Sequence, residues 1–552
     1  MADTPAHGIG TRTLRGMFWT YGSFASVRLA SLLTTAVLAR LLVPKDFGLI
    51  ALAMTFMAFL DMLQGLGVGD ALVVADPELL EQEAETAFAV SSTVGLGLWL
   101  LSAAVGPLAA SLFHQPRLVE IMPVLGSTFF LYGLGSTHYS LALTRIEFRS
   151  RTAAELVDAV VRGAAGVALA LAGLGVWSLI IGYVAGSAAW TVVLWWLVGW
   201  RPRLRPQRRH LRRLLTFGGA LTGVGLMAAF LAQFDNAVVG RVLGATQLGF
   251  YSIANRLPYL FIISLAAATG QVLYPAFASL QGDDLRRAFL TALRYTAVIA
   301  LPLTAVLITL AEPVTVAVFG PRWRPAVAAT QVLCLWALMS PISMVCGNAI
   351  KSRGRATLLL LLAIPQAIAL VVGSILLVHQ GIVAVAWVQA VIAVVAQVVT
   401  LAIACRMLSL TMGGVLRAIG PPLLASAVVA AALFAINRAI TAPVLALGVG
   451  GVAGALLYLG LVRLLMPDLL PHLRSMAFPR SAPAPAPSGN GFEGRLQGRR
   501  RAVGAAVAAD DRAIVEGGFA TVPEEEGAEG GVEGGGLGGH PGVEILQPEE
   551  EQ

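Results

Sequence analysis

The sequence predicts an all-α polytopic membrane protein of about 14 transmembrane helices, arranged as two six-helix lobes plus two C-terminal helices and a disordered C-terminal tail. Composition, block length and charge asymmetry predict it. The 552 residues are 57% apolar and only 12% charged, with a mean hydropathy of +0.78; a soluble domain carries roughly 25% charge. The apolar residues fall in blocks of about 20 or more, the length a helix needs at 1.5 Å per residue to cross ~30 Å of hydrocarbon. Lys and Arg in turn collect in alternate loops between the blocks.

Taken in order, residues 1–16 form a cytoplasmic N-terminal segment. The N-terminal lobe (17–199) is expected to hold spans at 17–42, 47–66, 86–113, 118–142, 153–173 and 176–199. The first block is longer than a signal-peptide core and lacks a convincing cleavage site, so it is a retained span. A basic cytoplasmic linker (200–213) leads to the second lobe (214–405), with spans at 214–240, 248–279, 289–319, 325–350, 357–378 and 382–405. Two additional helices, 415–439 and 443–466, make up the segment 415–466. From Pro467 the composition turns to Pro, Gly, Ala and Glu, which cannot bury enough apolar surface to offset chain entropy. Residues 467–552 are therefore expected to be a disordered cytoplasmic tail.

Orientation follows from the basic loops. One set holds Arg12, Arg15, Arg145, Arg149, Arg151, the linker arginines Arg201, Arg203, Arg205, Arg208, Arg209, Arg212 and Arg213, then Arg286, Arg287, Lys351, Arg353, Arg355, Arg406 and Arg417. The other holds Arg40, Lys45, Arg117, Arg241, Arg322, Arg324 and Arg438. The richer set belongs in the cytoplasm, which places both termini there.

An internal repeat divides the chain. Residues 39–53 and 240–254 align with Arg40 on Arg241, Leu42 on Leu243, Gly48 on Gly249 and Ala53 on Ala254. Both copies fall at the external turn between the first and second spans of a six-span unit. An even number of spans separates them, so the two lobes share one membrane orientation and are related by an axis along the membrane normal. Two such lobes around a midplane cavity form an alternating-access architecture.

Charges inside spans are costly and face a cavity or a partner. Asp158 and Arg162, four apart on one helix face, read as a structural ion pair. Asp61 and Asp235 lie towards span ends; they either reach the interface or act as carriers of a coupling ion. Arg28, Arg256 and Arg294 sit deeper, without an obvious local partner in the sequence. A guanidinium is always charged and forks onto phosphate oxygens, so these three are candidates to bind an anionic head group such as a diphosphate. Snorkelling or pairing with the aspartates is the competing reading, above all for Arg294. His138 is a lone polar residue in the fourth span, and Cys334, Cys346 and Cys405 are read as packing residues. Neither a metal-ligand cluster nor a Walker lysine nor a Ser/His/Asp set is seen, so no metal, cofactor, enzyme activity or nucleic-acid partner is expected.

The stretch 38–53, with Arg40, Pro44, Asp46 and Gly48, resembles the first turn of the polysaccharide transporter family, bacterial O-antigen and exopolysaccharide flippases of the multidrug/oligosaccharidyl-lipid/polysaccharide exporter superfamily. The stretch 235–256, with Arg241, Gly244, Gly249 and Tyr251, resembles that family's second-lobe pattern. The resemblance implies a V-shaped pair of lobes that moves an undecaprenyl-diphosphate-linked oligosaccharide across the bacterial inner membrane. Membrane lipid, polysaccharide polymerase and glycosyltransferases are its implied partners. It also implies that arginines on the first and eighth spans line the cavity, where Arg28 and Arg256 fall. A multidrug or cation antiporter of the same superfamily, and a membrane glycosyltransferase or polymerase acting on lipid-linked sugars, are the alternatives.

Overall fold

The computed structural model describes residues 27–65, 72, 79–145, 147–203, 227, 229–440 and 442–467. Every regular element among them is helical. In hydrocarbon a helix satisfies all its backbone polar groups within one segment, which an open strand cannot do. The expected N-terminal segment, most of the basic linker and the tail beyond Pro467 lie outside the described residues.

The first half contributes α1 (27–41), α2 (Pro44–Gly65), α3 (Leu80–Phe113), α4 (Leu118–Thr144), α5 (Phe148–Leu171) and α6 (Val176–Val198). The second half continues with α7 (229–242), α8 (Gly244–Pro258), α9 (Ser264–Ser279), α10 (Gly282–Thr309) and α11 (Ala311–Phe319). It closes with α12 (Val327–Ser352), α13 (Ala356–Leu377), α14 (Ile382–Met407), α15 (Met412–Ala439) and α16 (Pro443–Leu465). The chain is a multi-pass membrane protein: among the described residues, 10 helices are long and apolar enough to cross a bilayer. Large apolar side chains such as Leu100, Val192, Trp196, Leu361 and Leu376 point outward, as a lipid-facing surface requires.

Ten helices satisfy this length and apolarity test, against the 14 spans expected from the sequence, for local reasons. The first and seventh spans are only partly described. α5 is a continuous helix but carries Glu155, Asp158 and Arg162 within its apolar stretch. The block expected at 248–279 is one continuous helical run in which a π-helical turn, Tyr259–Ile263, lies between α8 and α9 just after Pro258. The block at 289–319 breaks at Leu310, because the ring of Pro313 bars the carbonyl four residues earlier from a continuous helix.

The largest buried cluster lies where α2 and α8 pack on each other, with Leu49, Leu52, Tyr251, Ala254, Phe319 and Trp323. Helices from the two halves of the repeat thus share one core. Cys346 and Cys405 pack in a second cluster with Phe277 and Phe289, and the three cysteines are free thiols.

Candidate functional site

Residues of α1, α2, α4, α5, α6 and α8 enclose a cavity of about 750 Å³. α1 offers Arg28, Ser31 and Thr35 to it, positions three, four and seven apart that a helix stacks on one face. α8 offers Ser252 and Arg256 by the same spacing. The Arg256 guanidinium donates to Ser31 Oγ at 2.8 Å and to Thr35 Oγ1 at 3.1 Å. These hydroxyls satisfy N–H groups without cancelling the charge. The Arg28 guanidinium carbon lies 5.7 Å from the ring centroid of Tyr259. Each of the two arginines therefore reaches from its own half of the chain to the other.

The facing wall, from α4, α5 and α6, is aromatic and ion-paired. Arg162 meets Asp158 at 2.6 Å and stands 4.2 Å from the Tyr183 ring centroid. Glu155 accepts from the Tyr139 hydroxyl at 3.1 Å. The lining holds three arginines, Arg28, Arg162 and Arg256, against two carboxylates, Glu155 and Asp158, an excess of one positive charge.

The other sequence candidates lie elsewhere. Arg294 on α10 is half-buried and does not line this cavity; its Nε is buried without a hydrogen-bond partner. Asp61 is exposed on α2. Asp235 is only 2% exposed, outside the cavity lining, and accepts from the Tyr251 hydroxyl at 2.7 Å. His138 is buried, stacked on Trp195 with Nε2 3.0 Å from the Trp200 carbonyl oxygen.

The turn motifs come together at one end of the bundle. Asp46 accepts from the Val43 N–H at 3.3 Å as α2 begins after Pro44. Gly244 takes φ +83° where α7 gives way to α8, a conformation an L side chain rarely adopts. Arg40 donates to the Val318 carbonyl at 3.3 Å and to that of Ala317. Its repeat mate Arg241 contacts the His114 ring. Trp323, fully buried between Phe47 and Phe250, donates from Nε1 to the Ala39 carbonyl at 2.8 Å.

A family model described as "Polysaccharide biosynthesis protein" matches residues 37–328, a stretch containing both turn motifs, Asp158, Arg162 and Arg256. The chain belongs to this family. The chain is 28% identical over 374 residues to the succinoglycan biosynthesis transport protein ExoT of Rhizobium meliloti, covering 66% of this chain and 74% of that one. It is 23% identical over 475 residues to the teichuronic acid biosynthesis protein TuaB of Bacillus subtilis, covering 82% and 96%. Among solved structures, the lipid II flippase MurJ in an inward closed conformation superposes with a TM-score of 0.68 at 14% identity, over 82% of this chain and 100% of that one. An inward-facing multidrug resistance transporter of the MATE family superposes with a TM-score of 0.59 at 19% identity, over 69% and 94%. At these identities the likeness is one of fold.

Sequence reasoning singled out Arg28 and Arg256 from their depth in the spans, and both line this cavity. It missed Tyr132, Tyr139, Tyr183, Trp190 and Trp323. A signal for the first four was available: Tyr132 and Tyr139, like Tyr183 and Trp190, are seven residues apart and so share a helix face.

Proposed function

We propose that this protein is a flippase that moves a lipid-diphosphate-linked oligosaccharide across the bacterial inner membrane for polysaccharide biosynthesis. The observation that carries this reading is the meeting of Arg28 and Arg256, one from each half of the repeat, in a single cavity within the bundle. A guanidinium forks onto phosphate oxygens and keeps its charge at any physiological pH. Because the two arginines approach from different halves, a diphosphate held between them is bound most tightly when the halves close on it. Relatives named for the transport or biosynthesis of succinoglycan and teichuronic acid support a glycan as the cargo.

In this reading the arginine-rich loops and both termini are cytoplasmic, and Arg40 and Arg241 mark the periplasmic end, where the halves are in contact. The undecaprenyl chain stays in the bilayer while the head group crosses through the cavity. Glycosyltransferases supply the substrate, a polymerase consumes it, and the chain itself makes and breaks no bond. Arg294, outside the cavity, is left out of the diphosphate site. Asp235 is a better candidate for ion coupling than the exposed Asp61.

The test is charge reversal in the full chain. Arg28→Glu and Arg256→Glu, at unchanged membrane abundance, should each lower polysaccharide export by about tenfold or more. Normal export by both variants would overturn the proposal.

The likeness to a multidrug transporter fold favours a second reading, an antiporter of cationic drugs. Both cavity carboxylates already have partners, Asp158 in Arg162 and Glu155 in Tyr139, which weighs against it. Drug resistance conferred on a hypersensitive strain would restore it.

A further inference from the structure

The wall facing the two arginines is built twice over. In one rung Tyr132 of α4, Asp158 and Arg162 of α5 and Tyr183 of α6 come together: Arg162 lies 3.4 Å from the Tyr132 hydroxyl, 2.6 Å from Asp158 and 4.2 Å from the Tyr183 ring centroid. In the other, the counterparts are Tyr139, Arg151 with Glu155, and Trp190. The Arg151 guanidinium donates to the Tyr139 hydroxyl at 2.6 Å and stands 4.6 Å from its ring centroid, and that hydroxyl donates to Glu155 at 3.1 Å. Each element of the second rung is displaced by seven residues from the first, with carboxylate and guanidinium exchanging places along α5. Seven residues at 1.5 Å each set the rungs ~10 Å apart. Trp190 joins them, its ring 5.1 Å from that of Tyr132 and 5.7 Å from that of Tyr139.

We infer that this wall is a glycan subsite, separate from the arginine pair, whose two rungs hold successive uncharged sugar units of the cargo. The inference rests on the flippase reading and adds where the sugars lie. A pyranose presents an apolar C–H face and a rim of hydroxyls that both donate and accept. Tyrosine and tryptophan rings match the face; a paired guanidinium and carboxylate match the rim, since one only donates and the other only accepts. Each rung pairs one positive with one negative group, so the wall offers hydrogen bonds without net charge, unlike the region of Arg28 and Arg256. Apolar side chains of similar volume would avoid the desolvation that such pairs cost inside a membrane. Seven of the eight rung residues line the cavity, and Arg151 stands behind the lining.

The rungs also have an order. Gly163 packs on Thr34, which sets the Asp158 and Arg162 rung level with the stretch of α1 from Arg28 to Thr35. The Glu155 and Trp190 rung lies two helical turns further towards the arginine-rich end. The sugar attached to the diphosphate meets the first rung, and only a longer glycan reaches the second.

The full-length protein in proteoliposomes tests this with two probes, a polyprenyl diphosphate bearing a single N-acetylhexosamine and the same lipid bearing an uncharged pentasaccharide. Glu155→Gln and Tyr139→Phe, which keep the shape of the second rung and remove its carboxylate charge and its rim hydroxyl, should each slow translocation of the pentasaccharide lipid by about tenfold while leaving the single-sugar lipid unchanged. Arg256→Ala should slow both. Equal loss on both lipids, no loss on either, or wild-type protein that moves the single-sugar lipid alone would overturn the subsite while the flippase reading stands. Wild-type protein that moves neither lipid would overturn both.

Discussion

Gly48 and Gly249, mates in the internal repeat, lie at the crossing of α2 and α8 so closely that a Cβ on Gly48 would overlap the Ala245 carbonyl and one on Gly249 that of Pro44. The obstacle in each case is backbone, which cannot swing aside as a side chain can. An alanine at either position forces the two helices apart, and with them the two halves of the chain at this end. Gly48→Ala and Gly249→Ala should each favour the state open at this end and slow transport by about tenfold. Spin labels at the exposed positions 117 and 324 check it: their distance should lengthen in both variants.

The arginines of the same repeat close that end reciprocally. Arg40 of the first half binds carbonyls in the last turn of α11, and Arg241 of the second half reaches His114 just past α3. Partial negative charge at a helix C-terminus adds to the Arg40 contact. Both arginines are exposed, so each contact contributes about 1 kcal/mol. Arg40→Ala and Arg241→Ala should each shift the ratio of open to closed states about fivefold, and together about 25-fold because they share no partner. The same label pair reads the populations.

Much of this was legible in the sequence, because the bilayer imposes a length and a hydropathy that single blocks reveal on their own. The turn motifs and the depth of Arg28 and Arg256 were legible for the same reason: a costly arginine or a patterned glycine stands out against an apolar background. What was not legible depends on which residues of distant helices meet. The π-helical turn at Tyr259 and the break at Leu310 lie beside Pro258 and Pro313, inside apolar blocks that hydropathy reads as uniform. Trp323 reads as one more apolar residue at a span end until Phe47, Phe250 and the Ala39 carbonyl are brought around it. The tyrosines of α4 carry no charge to attract notice, and they form a wall only with α5 and α6 in place.

Trp323 contacts both halves at the closed end, through Phe47, Phe250 and the Ala39 carbonyl. Trp323→Ala removes a fully buried ring and leaves the Ala39 carbonyl without its donor. A loss of about 3–5 kcal/mol of stability is expected. Trp323→Phe keeps a smaller ring between Phe47 and Phe250 and gives up the hydrogen bond and part of the ring volume, a loss of about 1–3 kcal/mol. Thermal unfolding in detergent should rank the two variants in that order, with Trp323→Ala far the lower in melting temperature.

Asp235 and Tyr251 allow a structural role to be separated from a role in ion coupling. The Tyr251 hydroxyl donates to Asp235 Oδ2 at 2.7 Å, both side chains are buried, and Asp235 Oδ1 has no hydrogen-bond partner. Asparagine at 235 keeps an oxygen to accept from Tyr251 but can no longer exchange a proton or attract a cation. Tyr251→Phe does the reverse: the acid remains and its donor is lost, at a cost of about 1–3 kcal/mol. If Asp235 couples transport to an ion gradient, Asp235→Asn retains the wild-type melting temperature but loses the acceleration that an imposed gradient gives to translocation in proteoliposomes. Tyr251→Phe should then melt lower yet still respond to the gradient. A gradient response intact in Asp235→Asn would leave the carboxyl with a packing role only.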